Sequence, residues 1–193
     1  MVTHNPVTSI VLPKVEDRLP YYLTFDQVTE LRLSEGRLKQ RAIIEVLYST
    51  GVRVGELITM KLEDINWEER MIRIPKGKSK KERIVMFTQE CAEHLHAYLN
   101  NRQDDLSYVF VNGNGTSSLP DCTIRYWFRN YKEKLGYYMS PHTLRHTFAA
   151  HLAIKGMPLE YIQVLLGHGC PEATQIYARL CHTARLQIYD EWM

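Results

Sequence analysis

The sequence predicts an α+β fold, mostly α-helical, with a small antiparallel three-stranded sheet at one edge. Three observations carry that expectation. Long stretches repeat their apolar residues at helical spacing, and only around residues 71–88 does the period change to short, branched-rich runs. Capping residues, proline and glycine stand where those stretches start and stop.

Residues 1–20 carry Pro6, Pro13 and Pro20 with little periodicity, which suits an extended linker. Thr24 and Gln27 make a capping-box pattern at the head of a helix reaching residue 33, and residues 38–49 carry a second apolar-periodic stretch. After the Gly51 turn, residues 54–60 read as a short helix. Residues 71–75 and 83–88 then form a hairpin around a basic, glycine-containing turn. The third strand is expected at residues 108–111, bounded by Asn112-Gly113-Asn114-Gly115. Helical periodicity returns over residues 89–100 and 121–135. Ser140-Pro141 supplies an N-cap followed by proline at the first helical position, for a helix reaching residue 154. A helix over residues 158–166 stops at Gly167, and residues 183–193 form a helical tail.

With 193 residues, 45% of them apolar, the chain has material for one well-cored domain rather than two. No apolar run approaches the roughly 20 residues of a membrane span, and the start lacks the charged-then-apolar order of a signal peptide. A soluble, cytoplasmic protein with no membrane partner is expected. Cys91, Cys122, Cys170 and Cys181 are scattered, without a Cys-x-x-Cys pair, and read as reduced thiols. The net charge of +2 says little about a nucleic-acid partner, but its distribution says more. Lys76, Lys78, Lys80, Lys81 and Arg83 fall within eight residues, opposed only by Glu82, and form a local positive lobe.

Four short patterns carry chemistry. His142 and Arg145 stand at i and i+3 at the head of the Ser140 helix, so an imidazole and a guanidinium project together beside free helix N-terminal amides, a setting that favours anions. A zinc site at His142 and His146 is disfavoured: the glutamate of a zinc hydrolase is missing between them, and Arg145 would repel the ion. In Gly51-Val-Arg53-Val-Gly55-Glu56-Leu57, a second arginine sits on a tight turn entering a helix, where its planar fork can grip two phosphate oxygens or simply pair with Glu56. Leu165-Leu166-Gly167-His168-Gly169 ends a helix with a histidine in a glycine-flanked turn. Tyr177 follows nine residues later, one of twelve tyrosines and unremarkable by itself as a nucleophile.

Taken in order, Thr50-Gly51-x-Arg53-x-x-Glu56-Leu57, a lysine in a hairpin turn, His142-x-x-Arg145-His146, Leu166-Gly167-His168 and Tyr177 resemble the active-site set of the tyrosine recombinases, the Xer and phage-integrase family. The likeness runs from about Leu19 to about Tyr189. It implies the tyrosine-recombinase catalytic fold over residues 21–182. The family's lysine lies in a Gly-Lys-Gly-x-Lys-x-Arg pattern, here Gly77-Lys78-Ser79-Lys80-Lys81-Glu82-Arg83, so Lys78 is its counterpart. Ser79 replaces the second glycine, and Lys76 and Lys80 remain alternatives.

The resemblance further implies a reaction. Arg53 and Arg145 would hold the non-bridging oxygens of a scissile DNA phosphate, with a hydrogen bond from His168. Tyr177 would attack, His142 would accept its proton, and Lys78 would protonate the leaving 5′ oxygen. The 3′-phosphotyrosyl ester conserves the bond energy, so no ATP is expected, and two arginines and a lysine supply the charge, so no metal or other cofactor is expected either. Lys76, Lys80, Lys81 and Arg83 would contact DNA. Double-stranded DNA is the implied partner, bound by a homotetramer on two duplexes or by a monomer that assembles there. Integration, excision or dimer resolution of DNA, including mobile elements, is the implied outcome. Residues 1–20 resemble the linker that follows the family's N-terminal DNA-binding domain, and a fragment lacking that domain is expected. Leu186, Tyr189 and Met193 give the tail an apolar stripe suited to a neighbouring protomer or to its own core. A type IB topoisomerase-like activity and a non-catalytic DNA-binding protein are the two alternatives.

Overall fold

Thr24 opens the first helix as its sequence predicts. Its side chain accepts from the amide of Gln27 at 3.2 Å, and the Gln27 side chain accepts from the amide of Thr24 at 2.9 Å. The structure is a computed structural model that describes residues 19–75, 82–167 and 172–192. Helix α1 (Phe25–Leu33) leads to α2 (Leu38–Thr50), α3 (Val54–Thr59), α4 (Gln89–Asn100) and α5 (Asp121–Leu135), followed by α6 (Pro141–Ile154), α7 (Leu159–Leu166), α8 (Glu172–Gln175) and α9 (Ala178–Trp192). The expected Ser140 cap is present, its Oγ accepting from the amide of Thr143, and Thr88 Oγ1 caps α4 by accepting from that of Cys91.

Strands β1 (Ile65–Asn66), β2 (Met71–Ile74) and β3 (Arg83–Met86) form one antiparallel sheet in the order β1-β2-β3. The hairpin and the strand count agree with expectation, but the third strand is Ile65–Asn66 and not residues 108–111. The chain there makes single bridges only, Lys61 to Tyr108 and Val111 to Ser118. Val109, Phe110 and Val111 are all buried rather than alternating, and their polar groups go to scattered partners: the amide of Val109 donates to the carbonyl of Met60, that of Val111 to the hydroxyl of Tyr98, and Arg102 donates to the carbonyls of Tyr108 and Val109.

Two hydrophobic clusters meet along α6. Leu144 belongs to the larger, which gathers Ile43, Ile44, Val46 and Leu47 of α2 with Leu95 of α4 and Ile124 and Phe128 of α5. Phe148, Ala149, Ala150 and Ala153 belong to the smaller, with Ile162 and Leu166 of α7, Tyr177 and Cys181. Burying each large aliphatic side chain contributes roughly 2 kcal/mol, so the seam carrying α6 is held from both sides. Gly51 closes α2 in the left-handed region at φ 62°, and a Cβ there would stand 2.3 Å from Cδ1 of Phe148. The Arg53 turn therefore lies directly on α6.

The tail begins earlier than its periodicity suggests, because α9 starts immediately after Tyr177. Cys181 and Ala184 are buried and α9 packs on α6, while Leu186 is exposed. The side chains of Tyr189 and Met193 lie outside what the structure describes, as do residues 76–81 and 168–171. No described helix is long and apolar enough to cross a membrane.

Candidate active site

Arg145 projects from the first turns of α6 and is 3% exposed. Its guanidinium donates to the carbonyl of Gly51 and, at 2.6 Å, to that of Leu166. One side chain thus ties the Arg53 turn and the end of α7 to α6. Burial, followed by the charge of Arg53, draws its pKa down to about 9, which leaves it charged at neutral pH.

Arg53 caps α3 and keeps a third of its side chain exposed. Its amide donates to Oε2 of Glu56 at 2.8 Å, and its guanidinium lies 3.3 Å from Oε1. The same carboxylate receives a two-pronged donation from Arg83 of β3 at 2.9 and 2.8 Å. Burial alone would raise the Glu56 carboxyl, but Arg83 and the amide of Arg53 overcome it and hold the group at about 2. Arg83 also donates through Nε to the carbonyl of Leu165 at 2.9 Å. Arg83 and Arg145 therefore serve the last carbonyls of α7, where unpaired acceptors and the negative end of the helix dipole gather.

The arginine expected on the DNA-facing lobe is consequently turned inward, with 7% of its side chain exposed, and joins the hairpin to the Arg53 turn. Lys76, Lys78, Lys80 and Lys81 lie outside the described residues, as does His168, which follows Gly167. Gly167 itself closes α7 at φ 62°, and a Cβ there would meet Cδ of Arg83 at 2.9 Å.

Tyr177 lies in the turn between α8 and α9, with its side chain 1% exposed. Its hydroxyl is 2.6 Å from Nδ1 of His146. Burial raises its pKa well above the ordinary phenol value, partly opposed by the charge of Arg145, whose field therefore reaches the phenol. His142, the expected proton acceptor, is exposed and stands edge-on to His146, ring centres 4.4 Å apart. Burial, Arg145 and Arg53 all lower its pKa. His146 is lowered further, to about 4, by burial, His142 and Arg145.

The structure thus brings Arg53, Arg145, His142 and Tyr177 to one place and adds Glu56, Arg83 and His146. The signal for His146 was present: positions i, i+3 and i+4 share a helix face, so His142, Arg145 and His146 point together. Glu56 was visible only as one possible partner of Arg53, and the contact of Arg83 with Leu165, 82 positions away, left no local trace.

A second titratable cluster lies elsewhere. Glu45, Glu90 and His94 bring possible metal-ligand atoms within 4.8 Å of one another. Arg32 and Arg41 already ion-pair with both carboxylates, so the cluster is balanced without a cation.

This fold and this arrangement of residues recur in known proteins. The phage integrase family model matches residues 22–183. Tyrosine recombinase XerA of Pyrococcus furiosus is 36% identical over 172 residues, covering 87% of this chain and 60% of that protein. Tyrosine recombinase XerC of Thermodesulfovibrio yellowstonii is 36% identical over 203 residues, covering 97% of this chain and 67% of that protein. The crystal structure of XerA recombinase superposes with a TM-score of 0.78 at 35% identity, over 90% of this chain and 65% of that one. The XerH site-specific recombinase bound to its difH substrate gives 0.72 at 25% identity, over 86% of this chain and 53% of that one. The chain belongs to the phage integrase family. It spans about 60% of the length of the XerA relative.

Proposed function

We propose that the chain is the catalytic domain of a site-specific tyrosine recombinase, which cleaves and rejoins double-stranded DNA through a 3′-phosphotyrosyl ester at Tyr177. One observation carries the reading: the Tyr177 hydroxyl meets the His142-x-x-Arg145-His146 face of α6 within the field of Arg145, beside Arg53. A nucleophile and a surplus of fixed guanidinium charge converge there, as attack on a phosphodiester requires.

Arg145, locked by two backbone carbonyls, and Arg53, anchored by Glu56 yet part-exposed, hold the non-bridging oxygens, His168 adds a hydrogen bond, and His142 accepts the proton of Tyr177 as it attacks. Lys78, or Lys76 or Lys80 from the same hairpin turn, protonates the leaving 5′ oxygen. Lys76, Lys80 and Lys81 extend the positive surface to neighbouring phosphates, while Arg83 acts through Glu56 rather than on DNA. Residues 1–20 serve as a linker, residues 21–182 as the catalytic domain, and residues 183–193 as a tail that docks on a neighbour in a tetramer on two duplexes. The XerH relative, solved on its difH substrate, supports DNA as the partner.

Incubation with a nicked suicide site yields a denaturant-resistant protein-DNA adduct, and Tyr177→Phe abolishes it. An adduct that survives in that variant removes Tyr177 as the nucleophile.

A further inference from the structure

We propose that Arg83 is a positioning residue for strand cleavage: through Glu56 and the end of α7 it sets both phosphate-holding arginines, Arg53 and Arg145, and itself touches no DNA. The inference rests on the reading of those two arginines as the holders of the scissile phosphate.

Strand alternation turns Arg83 inward. On β3, Ile84 and Met86 are exposed while Val85 is buried, so Arg83 shares the inner face with Val85 and stands opposite Ile74 of β2. With 7% of its side chain exposed, its charge has to be met inside the fold. Three of its N–H groups have partners among the described residues. Two run side by side to the Glu56 carboxylate at 2.9 and 2.8 Å, and one reaches the carbonyl of Leu165 at 2.9 Å. An arginine from a lysine-rich run is thereby committed to the interior.

Each contact leads to one arginine of the site. The guanidinium of Arg53 reaches Oε1 of Glu56 through one nitrogen at 3.3 Å, a longer contact than either made by Arg83. Arg83 therefore sets where the carboxylate stands, and Arg53 is oriented against it. On the other side, Arg83 and Arg145 donate to consecutive carbonyls, those of Leu165 and Leu166, so a single peptide unit joins them. Gly167 lies directly on the Arg83 stem: its φ is 62°, and a Cβ there would stand 2.9 Å from Cδ of Arg83. A lysine at this position has one nitrogen and no planar fork, and cannot hold two carboxylate oxygens and the Leu165 carbonyl in the same geometry. Misplacing a group that holds a reacting phosphate by about 1 Å can cost on the order of 100-fold in rate.

Arg83→Lys provides the test, because it keeps the charge and removes the fork. Single-turnover adduct formation at saturating suicide duplex is expected to slow roughly 10- to 100-fold, with duplex affinity unchanged. A role in stability alone would lower the thermal midpoint and leave the folded protein cleaving at the wild-type rate. That rate, measured well below the midpoint of the variant, overturns the proposal. Arg83→Gln separates positioning from contact with DNA. Its plot of log affinity against log salt is expected to keep the wild-type slope, whereas loss of a phosphate contact would reduce the slope by about one and overturn the proposal. In a Glu56→Gln background, Arg83→Lys is expected to cost less than it does alone, since the route to Arg53 is already broken; equal losses in both backgrounds overturn that route. If the unsubstituted protein forms no adduct, the recombinase reading itself falls; if it does and Arg83→Lys matches it, only the role of Arg83 falls.

Discussion

Among the described residues, two arginine-glutamate clusters differ in their charge balance. Between α1, α2 and α4, two arginines, Arg32 and Arg41, face two glutamates, Glu45 and Glu90, at 2.5 to 3.1 Å. At the seam of α3, β3, α6 and α7, Arg53 and Arg83 share one glutamate, Glu56, and a third arginine, Arg145, lies within its field on backbone carbonyls. The first cluster is neutral and joins helices. The second carries fixed surplus positive charge, costly to bury unless an anion completes it, and Tyr177 lies beside it. The two buried glutamates show the same contrast. Burial dominates Glu45 and raises its carboxyl, whereas the surrounding donors overcome burial at Glu56 and hold it at about 2.

The largest break in that contrast should come from Arg145→Lys. An ammonium cannot fork to the carbonyls of Gly51 and Leu166 while facing the site, so adduct formation should fall roughly 100- to 1000-fold. The thermal midpoint should drop as well, because a buried acceptor loses its donor. Retention of more than a tenth of the cleavage rate would show that point charge, not the fixed fork, is what matters.

Glu56→Gln should act on both stability and turnover, less severely. The Glu56 carboxyl titrates near 4.5 in the unfolded chain and about 2 in the folded one. Its stabilisation is therefore complete above pH 4.5 and disappears as the pH falls toward 2. The difference corresponds to about 2 kcal/mol after allowance for its partial exposure. Denaturant unfolding across pH 2 to 6 should show that slope in the wild type and a flatter profile in the variant.

Glu45→Gln should have the smallest effect on cleavage. It should lower stability, because Arg32 and Arg41 lose one of their two counter-charges in a largely buried setting, yet leave the cleavage rate of the folded protein unaltered. A large loss of cleavage would mean that the neutral cluster is coupled to the site after all.

Local chemistry made much of this legible beforehand. The capping box at Thr24, the Ser140-Pro141 start and the glycine stops at Gly51 and Gly167 are signals read within one helical turn, and they set the helix ends almost to the residue. Residues 108–111 misled because a run of buried apolar residues looks alike in a strand and in an irregular buried segment. The brief pairing of Ile65 with Ile72 and of Asn66 with Met71 is too short to leave a period. The inward turn of Arg83 was hidden for another reason: in sequence it belongs to a lysine-rich run, and only the approach of α7 supplies the carbonyl that draws it in.

By itself, the sequence determined the helical scaffold, the hairpin and the shared face of His142 and Arg145, because spacing along a helix or turn is a local matter, and the resemblance of its ordered motifs to those of the tyrosine recombinases singled out Arg53 and Tyr177 as well. The tertiary structure decided which histidine meets the tyrosine, where Arg83 points and how Glu56 is charged. Each of those depends on distances between segments far apart in the chain, where packing of α6 against α7 and the Tyr177 turn, rather than local propensity, sets the contact.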